Sequence, residues 1–106
     1  MKWKRIAGVV AGALIFSGNA AIFSQNAAAD QGSKVFAAQK CSLCHSIRGS
    51  GGDEALDGVG ARIKPDDFRK RIKTPKEVKA GSEMKAYPNL PEKDINDLIA
   101  YLMTLK

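Results

Sequence analysis

Cys41-Ser42-Leu43-Cys44-His45 decides how this chain folds, because it holds both cysteines and the one histidine of the 106 residues. Two thiols three positions apart, followed at once by an imidazole, make the pattern C-x-x-C-H. That spacing suits covalent attachment of haem c: two thiols add to the two vinyl groups of one haem, and His45 follows directly to coordinate its iron. Three other uses of such residues compete. A thioredoxin-like redox pair needs a βαβ pattern around C-x-x-C, which is missing here. A structural zinc site needs four protein ligands, and Cys41, Cys44 and His45 are three. A local disulfide would close too small a loop to add much stability, and would leave His45 unexplained.

The size of the chain agrees with a bound group. Lys2, Lys4 and Arg5 precede an apolar run, Ile6–Phe23, and Ala27-Ala28-Ala29-Asp30 then offers small residues in an A-x-A arrangement. Basic start, apolar middle and small-residue exit are the parts of a secretory signal. Cleavage after Ala29 leaves residues 30–106, a domain of 77 residues. The competing reading is an uncleaved anchor: the run spans 18 residues, against the roughly 20 that a bilayer requires. Ser17, Gly18 and Asn19 weaken it as a lipid-facing helix. Both readings put the domain outside the cytoplasm, in the periplasm, free or anchored. A domain this small has a marginal hydrophobic core and needs a staple or a cofactor.

Removing the leader takes Lys plus Arg from 17 to 14 against 11 acidic residues, for a net charge of about +3. That is not the clustered basic field of a nucleic-acid binder.

Along the rest of the chain, Gln31–Lys40 reads as a short helix. Ser46–Lys64, broken by Gly49, Gly51, Gly52, Gly58 and Gly60, reads as a long loop. A loop of that length belongs in a compact domain only if it wraps something. Pro65-Asp66-Asp67 opens a helix running to about Lys73, with Phe68 and Ile72 on one face, and Thr74-Pro75 stops it. Pro75–Ala80 adds a short helical turn. Ser82–Leu90 reads as extended chain with a break at Pro88-Asn89. From Pro91 to Leu105, the residues Ile95, Leu98, Ile99, Leu102 and Leu105 form a stripe at helical spacing. No run alternates as a strand does, so the expected fold class is all-α.

With a single histidine, a second axial ligand to the iron must be another residue type. After the leader, the thioethers are Met84 and Met103. Met103 lies beside the apolar stripe, where methionine is ordinarily core filler. Met84 lies in the extended segment, whose backbone is free to carry a side chain to the iron. His/Met ligation raises the potential and closes the iron to small molecules, favouring electron transfer.

These residues resemble the small monohaem class I cytochromes c of bacteria. The resemblance covers nearly all of Gln31–Lys106. It rests on Gly32 and Phe36 ahead of Cys41–His45, on Leu56-Asp57-Gly58-Val59-Gly60, on Met84-Lys85-Ala86-Tyr87-Pro88-Asn89-Leu90, and on Asp97-Leu98-Ile99-Ala100-Tyr101-Leu102. It implies three to four helices around one haem. The first and last helices would cross where Gly32 permits close approach, with Phe36 packing near Leu98 and Tyr101. It also implies that Leu56, Phe68 or Ile72, and Leu90 touch the haem. In the family a proline two residues before the leucine of the middle stretch gives its carbonyl to the ligating imidazole; here Glu54 stands in that place.

The function expected is therefore a carrier of single electrons between redox protein partners outside the cytoplasm, monomeric and not an enzyme. Alternatives are a haem subunit of a larger oxidoreductase complex, and a sensor or enzyme with an open sixth site. Lys40, Lys73, Lys76, Lys79 and Lys85 are either a basic rim for acidic partners or merely solvated surface.

Overall fold

A computed structural model describes residues 26–106 of the chain. The basic start and the apolar run at residues 2–23 lie outside the described residues. A helix, α1, runs through residues 26–38. It is followed by a tight 3-10 turn at Cys41–Leu43, then by strands β1 (His45–Ile47), β2 (Ser50–Gly51) and β3 (Glu54–Ala55). Four more helices complete the fold: α2 (Val59–Arg62), α3 (Pro65–Lys73), α4 (Pro75–Val78) and α5 (Glu92–Leu102).

The fold is helical but not all-α, which corrects the sequence expectation. The supposed loop after His45 contains a three-stranded sheet in the order β2-β1-β3. β1 pairs antiparallel with β2, placing Ile47 opposite Ser50, and parallel with β3, placing His45 opposite Glu54. Arg48 and Gly49 join β1 to β2 with φ of 53° and 80°. Positive φ at both central residues is the mark of a tight hairpin turn that follows the natural strand twist. The Asp57 carboxylate steadies this turn by accepting the Arg48 N–H at 2.8 Å. Strands of two or three residues are too short to show alternation, and arginine is a poor advertisement for a left-handed turn position.

Helix boundaries differ for local reasons. α1 begins before Gln31 because Ala27, Ala28 and Ala29 are the strongest helix formers available. It thus runs across the expected cleavage point. α5 stops at Leu102 rather than Leu105, because the Leu105 carbonyl turns back to accept the Gly60 N–H at 2.8 Å. The described helices number five, against three to four expected; α2 and α4 are single turns of four residues each. α3 keeps the predicted bounds, with Pro65 in its first turn and Asp66 and Asp67 near its positive end.

Packing centres on α1, α3 and α5. Phe36, Val59, Phe68, Ile72, Ile95, Leu98, Ile99 and Leu102 form one buried cluster, with Ile95 wholly enclosed. α1 crosses α5 so closely that a Cβ on Gly32 would strike the Asp97 carbonyl and come 2.7 Å from the Tyr101 Cβ. The Phe36 and Tyr101 rings meet edge to face at the same crossing, with centroids 5.6 Å apart. Arg69 ties α3 to α5 by bonding both Glu92 and Asn96. Buried Asp97 is paired within α5 by Lys93 at 2.6 Å, which removes the cost of an isolated carboxylate.

Candidate functional site

The elements converge on a cleft of about 310 Å³, within the size range of small-molecule sites. Its walls are mainly apolar, drawn from α1, α2, α3, α5 and the segment after α4. Leu56, Phe68, Ile72 and Leu90, expected beside a haem, all line it. So do Cys41, His45 and Met84. Cys44 is exposed and lies outside the lining, and the intervening Leu43 is 73% exposed. Met103 packs against the core cluster and does not face the cleft.

The attachment segment is shaped by a sharp change of backbone direction. α1 ends at residue 38, and Lys40, with φ of 59°, then turns the chain into the 3-10 turn. The Cys44 N–H closes that turn on the Cys41 carbonyl at 3.2 Å, and β1 then begins at His45. The imidazole Nδ1 lies 3.3 Å from the Glu54 carbonyl oxygen. With its proton on Nδ1, the ring donates to that carbonyl and keeps Nε2 as the lone-pair nitrogen, as a metal ligand requires.

Glu54 therefore supplies the carbonyl that a proline supplies in the resembled family. Its rigidity comes from pairing rather than from a ring. The Glu54 N–H bonds the Cys44 carbonyl at 2.9 Å, and the Leu56 N–H bonds the Ser46 carbonyl at 2.8 Å. A proline could not make the first of these bonds.

Cys41 and Cys44 form no disulfide with one another. Burial pushes the Cys41 thiol above its ordinary range; its own backbone opposes this, and neighbouring Cys44 adds a smaller rise. Reactive redox cysteines show the reverse shift. Among the described residues no group of three His, Cys, Asp or Glu side chains is arranged to hold a metal ion. Zinc and thioredoxin-like readings thus gain nothing from the geometry. Haem c fits the donor set: an apolar cleft, two cysteines at and beside it, an oriented imidazole and a thioether.

Met84 stands in a stretch without regular structure between α4 and α5. Its N–H bonds the Ser82 hydroxyl at 3.2 Å, and Lys76 reaches the Ser82 carbonyl at 2.9 Å. The Tyr87 N–H bonds the Ile72 carbonyl at 2.9 Å, fastening the stretch to α3.

Sequence reasoning missed two cations of the cleft, Arg62 and Arg71, and placed a third, Lys79, only at a rim. All three line the cleft, and none joins an ion pair among the described residues. Arg71 was findable, because it lies three residues after Phe68 and beside Ile72, on the cleft-facing side of α3. Arg62 was hidden in what read as a glycine-rich loop. Of the lysines expected at a rim, Lys73 is instead engaged by Glu92 at 3.4 Å, and Lys85 sits over the Tyr87 ring at 5.3 Å from its centroid.

Comparison with known proteins agrees with this geometry. Residues 29–106 match the family model described as Cytochrome c. The cytochrome c oxidase subunit 2 of Alkalihalophilus pseudofirmus is 34% identical over 88 residues, covering 74% of this chain and 26% of that protein. The chain thus spans about a quarter of the length of the curated relative it matches. No solved structure matches. The family match takes in the C-x-x-C-H segment, the cleft and both crossing helices together, and proteins of this family bind haem c covalently and transfer electrons with it: the chain belongs to the cytochrome c family.

Proposed function

We propose that this chain is an exported, monomeric carrier of single electrons, holding one haem c through Cys41 and Cys44 with His45 and Met84 as axial ligands. The observation that supports this most is the sharing of one apolar cleft by Cys41, His45 and Met84, with Cys44 beside it. When bound, haem c supplies an iron that takes one electron from a donor and gives one to an acceptor, with no net change in atoms. The chain's own residues do the rest. Glu54 orients the imidazole through its carbonyl, the apolar walls exclude water, and Met84 would offer its thioether to the iron. Arg62, Arg71 and Lys79 offer positive charge to the cofactor's two carboxylates. Neither nucleic acid nor a chemical substrate has a place in this reading.

The donor and acceptor are redox proteins outside the cytoplasm, and the exported domain works in the periplasm or on its membrane surface. Among the described residues no helix is long and apolar enough to cross a membrane, so anchoring would depend on the N-terminal apolar run. Lys40, Lys76, Lys79 and Lys85 are exposed and give acidic partners a basic surface to meet. Electron transfer with an acidic partner is expected to slow about tenfold as ionic strength rises from about 0.01 to about 0.15 M, since screening shortens the reach of surface charge. Stopped-flow rates indifferent to salt would remove the lysines' steering role.

A second reading is favoured by the relative's identity as an oxidase subunit: this chain would work as the haem-bearing part of a larger oxidoreductase assembly. Size-exclusion chromatography of the exported product separates the two. A lone monomer supports the carrier, and a tight co-purifying partner supports the subunit. A five-coordinate visible spectrum in the native protein would instead favour a sensor or an enzyme with an open sixth site.

A further inference from the structure

We propose that Tyr87 is the positioning residue that fastens the Met84 segment to the haem-attachment segment, through a hydrogen bond from its phenol to the Gln39 carbonyl. This rests on the reading above, in which Met84 ligates the iron.

Between α4 and α5 the chain has no regular structure, so its shape depends on the few bonds that leave it. Lys76 to Ser82 and the Tyr87 N–H to Ile72 tie it to the α3–α4 side of the cleft. The Tyr87 hydroxyl goes elsewhere, donating to the Gln39 carbonyl at 3.3 Å, 48 residues away in sequence. Gln39 lies two residues before Cys41, in the turn that ends α1, and its own N–H is fixed to the Val35 carbonyl at 2.9 Å. A short, constrained piece of backbone therefore joins the acceptor of this bond to Cys41 and, four residues on, to His45.

Tyr87 and Gln39 both line the cleft. Burial raises the Tyr87 phenol above its ordinary range. The Lys85 ammonium, one residue from Met84, caps the ring face. One side chain thus bridges the two stretches that bring the proposed axial ligands. The ring's apolar contacts would survive as phenylalanine, whereas the bridge would not.

The test uses the holoprotein, with imidazole as probe. Imidazole reaches ferric iron only when Met84 has detached, so its apparent affinity reports the population of that open form. Tyr87→Phe is expected to retain the weak far-red band of a methionine–iron(III) bond and to bind imidazole about three- to tenfold more tightly, the effect of losing one neutral hydrogen bond. In a Met84→Ala background the same change should leave imidazole affinity unaltered. Equal imidazole affinity in Tyr87→Phe and the native protein, with the band present in both, would overturn the role of Tyr87 alone, whatever happens to thermal stability. Absence of the band from the native protein would overturn the Met84 ligation on which the role depends.

Discussion

Met84→Ala is expected to abolish the far-red methionine–iron band of the oxidised protein and to lower its midpoint potential by on the order of 0.1–0.2 V. The direction follows from ligand chemistry. A thioether is a weak donor that stabilises the reduced iron, and its loss lets water or another harder donor take its place. The variant should also bind small exogenous ligands more tightly than the native protein does. Stability is expected to suffer less than function, because Met84 is only half-buried and sits outside the main core cluster. Met103→Ala provides the contrast: it should cost stability by thinning the packing around α5 while leaving the band in place. A titration of potential with visible spectra on both variants separates the two methionines. An unchanged band in Met84→Ala would assign the thioether role elsewhere.

The second large effect is on folding. Gly32→Ala is expected to destabilise the domain by about 1–3 kcal/mol, although alanine is the better helix former by about 1 kcal/mol. The two effects oppose one another, and geometry decides between them. The added methyl group would run into the Asp97 carbonyl, a backbone atom that cannot swing aside, and would press on Tyr101. The helices would have to separate, loosening the Phe36–Tyr101 contact as well. Gly81→Ala is the control: a Cβ there meets open space, and the change should be neutral or stabilising by up to about 1 kcal/mol. Denaturant unfolding of the two holoprotein variants should show a loss of stability for Gly32→Ala and none for Gly81→Ala. A stabilised Gly32→Ala would mean that the crossing of α1 and α5 is looser than described.

Sequence carried the chemistry of this protein further than its architecture. Cys41, Cys44 and His45 are legible because covalent haem attachment would demand that spacing, and α5 is legible because a two-sided helix must repeat its apolar residues. The close crossing at Gly32 followed from resemblance, and its cause is visible only where Asp97 comes near. The small sheet escaped notice for a physical reason. Its strands bury little and are held by main-chain bonds, which leave no imprint on side-chain choice. The same bonds replaced an expected proline, so Glu54 looked like a defect in the pattern while its carbonyl still faced the imidazole. The glycines between Gly49 and Gly60 read as a loop, yet Gly60 is buried against the carbonyls of Leu102 and Met103, where no side chain would fit. Arg62 became a cleft residue only because that stretch closes into α2. Tyr87 likewise needed the fold to show its partner on Gln39.

The mass of the exported product, measured after acid denaturation in a host able to attach haem c, tests the central claim most directly. A single species heavier than the polypeptide by one haem is predicted, and replacing both Cys41 and Cys44 with alanine should abolish that increment. A native product that carries no added mass, or loses it on denaturation, would contradict the account.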